Sequence, residues 1–336
     1  MDSLTHIALG ACMGEVFAGN KLGKKAMFWG AFAQSIPDID FLASFWLDTS
    51  NYLSAHRGLT HSFLFVFIVA FLLSLYVNKR FVKSNIVLID WFIFFTINIF
   101  IHIFIDSFNS YGVGWFEPFS NVRISFNTLF VIDPLFSIWS FIAFIYLLFS
   151  NDNKKFRIIY SRAGLISSFL YIILSFYNKS KIDSSIHKQL CKNNISHIKY
   201  FSAPAPFQIF LWYIVVGTKN GYFISYKSIF DNKPEKLNTY FPINDSLQHE
   251  IINKDELGHL INFSQNYYTI EKWNDTLVFN DLRFGQILGW NNNKNHFVFH
   301  YYLNCPTANT FVVQRGRFEG WNFNNIQSMI KRIEGN

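Results

Sequence analysis

Charge is scarce in this 336-residue chain: Asp, Glu, Lys and Arg together make up 15% of it, against about 25% in ordinary soluble domains. With 51% hydrophobic and 20% aromatic residues beside it, so little charge excludes a disordered chain, which needs low hydrophobicity and high charge. It also argues against a wholly soluble globular protein, as does a positive mean hydropathy of +0.17. Cysteine is nearly absent. The three present, Cys12, Cys191 and Cys305, show no CxxC spacing, so neither a zinc ribbon nor a disulfide framework is indicated. No internal repeat is evident. The opening segment lacks a basic n-region and an A-x-A cleavage signal, so it reads as a retained helix rather than a signal peptide. The +7 charge balance suits Lys and Arg placed beside a membrane. No nucleic-acid surface is evident, because no base-stacking platform joins a continuous basic groove.

What the chain has in quantity is long apolar runs. Residues 62–77 contain no charge, and 86–108 are apolar apart from Asp90, His102 and Asp106. Residues 126–149 carry only Asp133, and 158–177 only Arg162. Each run is close to the ~20 residues that cross a ~30 Å hydrocarbon core. Upstream, 26–46 is apolar except for Asp38 and Asp40, and 4–18 is short and rich in Gly and Ala. Basic residues fall in alternate connections: Lys21, Lys24 and Lys25, then Lys79, Arg80 and Lys83, then Lys154, Lys155 and Arg157. The intervening connections, 47–60 and 109–125, hold one Arg each, Arg57 and Arg123. Short basic loops face the cytoplasm, so the pattern predicts a bundle of about six transmembrane helices with both ends on the outer face.

After residue 178 the chain turns rich in Asn, Lys and Asp, with short aromatic or β-branched runs at 207–216, 276–279 and 297–302. These read as strands. The expected organisation is therefore a multi-domain membrane protein: a helical membrane domain over 1–178 and a small β-rich extramembrane domain over 179–336. On the outer face, Cys191 and Cys305 are equally compatible with a disulfide and with two thiols.

Ionisable side chains inside membrane segments are costly and mark function by default. His102 and Asp106, spaced i, i+4, leave one helix face about a turn apart and can share a zinc-like cation. Asp38 and Asp40 follow Pro37, which breaks a helix, and two carboxylates so close repel unless a cation or proton offsets them. His56 and His61 flank a glycine turn just before the third apolar run, where Thr60 is a plausible N-cap. His6 lies near the start of the first helix. Each feature alone has a plain structural reading, as a helix hydrogen bond, a kinked helix end or a surface loop. The topology joins them. At ~1.5 Å per residue, Asp38 lies ~20 Å along from Lys25 and His102 ~28 Å along from Lys83, so all seven groups come to one depth near the outer surface. Seven donors exceed one tetrahedral zinc and suit a cluster of two or three ions, which activates water and steadies a phosphate-like centre. Arg57 is a candidate for gripping a phosphate oxygen, and Asp40 for taking a proton from the attacking water. Glu15 falls towards the cytoplasmic end of the first helix, and Asp133 beside Pro134 reads as a supporting partner or a helix cap.

These stretches, MDSLTHIALGACMGE at the start, Pro37-Asp38-Ile39-Asp40, His56 to Ser62, His102 to Asp106 and Asp133-Pro134, resemble the LexA-regulated, membrane-bound metal-dependent hydrolases typified by bacterial YdjM-like proteins. The likeness covers about the first 180 residues. Pro204-Ala205-Pro206 through Trp212 and Asn280-Asp281-Leu282-Arg283 resemble the C-terminal domain of the longer members. That family is distantly similar to zinc-dependent phospholipases C and S1/P1-type nucleases. The likeness implies a zinc ligand at His6, a bridging aspartate at Asp38 or Asp40, a further ligand at His61, and a ligand pair at His102 and Asp106. The sequence departs from those enzymes after Asp106, where no further His occurs before His187.

The function expected is a metal-dependent hydrolase of the bacterial inner membrane. It would act on a phosphoester or lipid-linked substrate, with the metal site and the C-terminal domain facing the periplasm. The bilayer is the expected partner. A metal-ion or proton transporter built on the same His/Asp cluster is the alternative, although a transporter should continue its polar groups to the cytoplasmic side. A structural protein that uses the ions only as a staple is a third.

Overall fold

The computed structural model describes residues 1–150, 154–233, 239–292, 294–305, 309 and 319–335. They form two compact units, Met1–Ala43 with Ala55–Ser175, and Ser44–Ser54 with Phe176–Asn336.

The first unit is helical. Helix α1, Ser3–Leu22, starts on an Asp2 cap whose carboxylate accepts from the Thr5 backbone N–H at 2.9 Å and from the Thr5 hydroxyl at 2.6 Å. It ends at Gly23, whose positive φ of +59° glycine adopts without a Cβ clash and which lets α2, Lys24–Ser35, fold straight back. The two backbones touch. A Cβ on Gly10 would strike the Gly30 carbonyl oxygen, and one on Gly30 the Gly10 carbonyl oxygen. Small residues permit this approach, as between membrane helices.

The run over 26–46 was counted as one apolar segment with a break expected at Pro37, and α2 stops at Ser35, two residues before it. Pro37 lacks the N–H that α-helical bonding needs and its ring crowds the preceding turn, so the chain continues as a 3-10 segment, Pro37–Phe45. The short helix α3, Thr49–Ala55, belongs almost entirely to the second unit, and the first resumes at Ala55 with a 3-10 turn, Leu59–His61, before α4, Phe63–Arg80. The cap of α4 is Ser62, which accepts from the Phe65 N–H at 3.2 Å; Thr60, expected in that role, is engaged elsewhere. Helix α5 runs Leu88–Asp106, α6 Pro134–Phe149 and α7 Lys154–Lys192. The apolar run at 126–149 becomes helical only at Pro134, because Asp133 caps α6 through the Leu135 and Phe136 N–H groups at 3.0 and 3.2 Å.

Among the described residues α4, α5 and α7 are long and apolar enough to cross a membrane, while α6 is apolar but shorter. The lengths thus give three candidate spans where six were expected. Large apolar side chains point away from the protein on these helices, including Phe67 and Phe71 of α4, Ile93 and Ile97 of α5, and Phe169 and Leu170 of α7. Such faces suit lipid. Between the helices Val66, Ala70, Trp91, Phe95, Ile99 and Ile103 form the core.

The second unit holds two antiparallel sheets. One is a meander of β1 Lys199–Pro204, β2 Leu211–Gly217, β3 Gly221–Ser228 and β4 Thr239–Pro242. The other orders β5 Tyr268–Trp273, β6 Thr276–Gln286 and β7 Phe297–Tyr302. Strand β2 is buried along its whole length, and its two-residue period explains why. Leu211, Tyr213 and Val215 pack towards Leu282 of β6 and Phe297 of β7. Trp212, Ile214 and Val216 pack on Ile182, Ile186 and Leu190 of α7. Helices α8, Lys254–Phe263, and α9, Phe323–Glu334, complete the unit, and Met329 of α9 joins its core. The expected strands are all present, except that 207–210 is a turn before β2. Cys191 and Cys305 are exposed free thiols, and Cys12 is a buried one.

Candidate metal centre

Four donors from three stretches of the first unit meet at one point. Asp38 from the 3-10 segment, His61 from the turn before α4, and His102 and Asp106 from the last turns of α5 each offer one atom, all within 4.8 Å of one another. The i, i+4 spacing on α5 aims His102 Nε2 and Asp106 Oδ2 to 3.7 Å. His102 Nε2 also lies 3.3 Å from His61 Nε2 and 3.4 Å from Asp38 Oδ1. His61 Nε2 lies 3.4 Å from Asp106 Oδ2 and 3.9 Å from Asp38 Oδ1. Zinc bonds of ~2.0–2.2 Å in a tetrahedron set donors roughly 3.4 Å apart, so the spacing fits an ion of that kind.

The hydrogen bonds behind the donors fix their lone pairs. His102 Nδ1 faces the backbone carbonyl of Gln34, which can only accept, so that nitrogen carries the proton and Nε2 is left bare. The Thr60 hydroxyl lies 2.9 Å from His61 Nδ1 and donates to Asp40 Oδ2 at 3.2 Å, so it accepts from Nδ1–H and leaves His61 Nε2 bare as well. Burial pushes the His61 imidazole down to about 4, which keeps it neutral. Two bare nitrogens and two carboxylate oxygens therefore point at each other. Asp106 Oδ2, fully buried, accepts no hydrogen bond among the described residues. A cation resolves that arrangement, and the donor set matches one.

Asp106 has a second side. Its Oδ1 lies 3.2 Å from His6 Nε2 and is paired with the buried Met1 ammonium group. The His6 and His102 rings stack, with centroids 3.8 Å apart. Asp38, with 23% of its side chain exposed, is the member of the four open to solvent. Its Oδ2 accepts from the Ser3 hydroxyl at 3.2 Å.

Asp40 and His56, expected among the ligands, stand one layer back. Asp40 accepts from the Arg57 N–H at 2.7 Å, lies 3.0 Å from His56 Nδ1 and sits 3.4 Å from His61 Nδ1, the nitrogen that faces away from the cluster. A carboxylate behind a ligating histidine orients the ring and raises its basicity. Arg57 is buried rather than free to reach outward. Its Nε approaches Asp106 Oδ2 at 3.2 Å, one Nη donates to Asn109 Oδ1 at 2.9 Å, and its plane lies over the Tyr111 ring. The backbone there has a φ of +60°, uncommon for a residue with a side chain. The Asp40 bond on its N–H and the Gly114 N–H on its carbonyl, at 2.9 Å, hold it there.

Outside the cluster, Glu15 forms a buried ion pair with Arg157 of α7, its two oxygens accepting at 2.9 and 2.7 Å. Arg157, grouped by sequence with the loop lysines, is thus a helix-packing residue. Asp133 is the cap of α6 and also accepts from the Tyr171 hydroxyl at 3.0 Å. Sequence reasoning missed Gln34 and Asn109. The only signal at Gln34 was a neutral amide inside an apolar run.

The helical unit and its site can be set beside known proteins. The family described as YdjM inner membrane protein matches residues 1–182, more than half of the chain and every residue of the centre. The chain belongs to that family. Within reach of this YdjM-family protein is the inner membrane protein YbcI of Escherichia coli strain K12, 30% identical over 36% of the chain and 69% of YbcI. The uncharacterized protein YfhP of Bacillus subtilis strain 168 is 24% identical and aligns along 96% of both chains. No solved structure matches the chain. Family membership and the apolar helices together place this YdjM-family protein in a membrane.

Proposed function

We propose that the protein is a metal-dependent hydrolase whose centre takes two zinc-like ions and acts on a phosphoester or lipid-linked substrate from the periplasmic leaflet. The observation that carries the reading is the convergence of bare His61 and His102 nitrogens with Asp38 and Asp106. Asp38, His61, His102 and Asp106 Oδ2 would hold one ion; Asp106 Oδ1 and His6 Nε2 would contribute to a second once the Met1 amino group now paired with Oδ1 gives up its proton or its place. Ions in such a pair lower the pKa of water and polarise a phosphoryl oxygen.

The chain's own residues do the rest. Asp40 and Thr60 keep His61 in the ligating tautomer, so Asp40 orients a ligand in this reading rather than accepting the proton of the attacking water. Arg57 steadies Asp106 and supplies fixed positive charge on the same wall for a phosphoryl oxygen. The partly exposed Asp38 marks the side from which substrate enters. Ile39 and Phe41, exposed next to it, favour an acyl-bearing substrate over a nucleic acid.

Purified in detergent or nanodiscs, the wild type should hold about two ions per chain, and His102→Ala and Asp106→Ala should each lose metal. Metal content indifferent to both substitutions removes the centre. With metal bound, release of phosphate ester products from generic phosphodiesters or phospholipids distinguishes the hydrolase from an ion staple. Metal-driven flux in proteoliposomes without hydrolysis would favour the transporter.

A further inference from the structure

Gln34 makes contact with two of the imidazoles at once. It lies in the last turn of α2 and is fully buried. Its backbone carbonyl accepts from His102 Nδ1, and its side-chain Oε1 stands 3.2 Å from His6 Nδ1. Its amide nitrogen points the other way, to Met13 Sδ at 3.5 Å. That orientation presents oxygen, an acceptor, to His6. Asp106 Oδ1, 3.2 Å from His6 Nε2, is an acceptor too, so Gln34 and Asp106 compete for the ring proton, and the Gln34 oxygen is what can draw it to Nδ1 and leave Nε2 with a lone pair.

The site is built for this residue. A Cβ on Gly10 would come within 2.6 Å of Gln34 Cγ and 2.8 Å of its Cβ. Only the missing side chain of Gly10 lets Gln34 lie across α1 and reach His6, four residues earlier on that helix. One residue of α2 thus ties the α1 and α5 imidazoles to a common frame, consistent with the stacking of their rings.

We propose that Gln34 is a positioning residue that sets the tautomer and direction of His6, and through its carbonyl those of His102, so that both present Nε2 to Asp106. The metal part of this inference rests on the two-ion reading above; the tautomer part does not.

The full-length protein, labelled with 15N-histidine and stripped of metal, tests it by imidazole NMR. In the wild type His102 should be Nδ1–H, and His6 should hold a share of Nδ1–H against the competing Nε2–H form that faces Asp106. Gln34→Met, which keeps the volume but removes the acceptor, should release the His6 preference and leave His102, held by the backbone, unchanged. Gln34→Glu, which restores an acceptor oxygen, should restore Nδ1–H on His6 and guards against a Gln34→Met protein that fails to fold. Titration with Co2+ should show affinity falling roughly 10–100-fold in Gln34→Met, with recovery in Gln34→Glu. A His6 tautomer and Co2+ affinity that do not change in Gln34→Met overturn the proposal, as does a Gln34→Glu protein that loses the Nδ1–H form. A wild type that binds no Co2+ sinks the two-ion reading, while the tautomer comparison still decides the role of Gln34.

Discussion

Asp40 and Asp106 are two carboxylates of one site with different work, and the difference is written in what each faces. Asp106 turns both oxygens to imidazole Nε2 atoms. Asp40 turns to a backbone N–H, a threonine hydroxyl and the rear nitrogen of His61. Asp40→Asn should therefore keep the number of bound ions and weaken their binding ~10–100-fold, measured by competition with a chelator. Asp106→Asn should instead lower the number itself. At this scale the sequence revealed residue types whose spacing is fixed by a helix, above all His102 and Asp106. It did not distinguish Asp38 from Asp40, because a two-residue offset beside a proline says nothing of which side chain points inward. Gln34 and Asn109 stayed hidden for another reason. A neutral amide carries no charge penalty in an apolar run, so nothing advertises its partner.

The elements that carry these residues are held together by two unlike contacts. At the site end, α1 and α2 touch backbone to backbone at Gly10 and Gly30. Gly30→Val should drive them apart at a cost of roughly 1–3 kcal/mol or more. It would lower the melting temperature in detergent and, because His6 and Gln34 sit on opposite sides of that contact, metal content as well. Further along α1, nine residues or ~13 Å past His6, Glu15 is paired with Arg157. Glu15→Ala strands a buried guanidinium and should cost ~3–5 kcal/mol, with chelator-measured affinity close to wild type. Reduced stability in both variants but lost metal only in Gly30→Val is the expected pattern. Hydrophobic runs announced α4 and α5 well but only the first part of α7, which continues to Lys192 past the change of composition at 178. The breaks were announced unevenly: the interruption at Pro37 was expected, whereas apolar composition carried the 126–149 run straight through Pro134. The β strands were read from aromatic runs, but β2 is apolar on both faces, so its pattern alone does not say which face meets α7.

For the whole molecule, composition alone led to a membrane, and family and helices agree. Resistance of the chain to alkaline extraction from membranes checks it. The orientation with the centre on the periplasmic side is our proposal. A reporter fused after Tyr177 should be active in the periplasm, and one at Asn153, outside the described residues, in the cytoplasm; the reverse pattern inverts the protein.

The four donors of the centre come from three stretches well separated along the chain, at positions 38, 61 and 102–106. An unfolded chain does not assemble the three stretches, so any ion that binds the native arrangement selects it over the denatured ensemble. At free ion a thousandfold above Kd, that preference amounts to about 4 kcal/mol, comparable to the whole stability of many small proteins. Scarcity of the metal would then be felt first as turnover of the polypeptide by proteases and only second as missing chemistry.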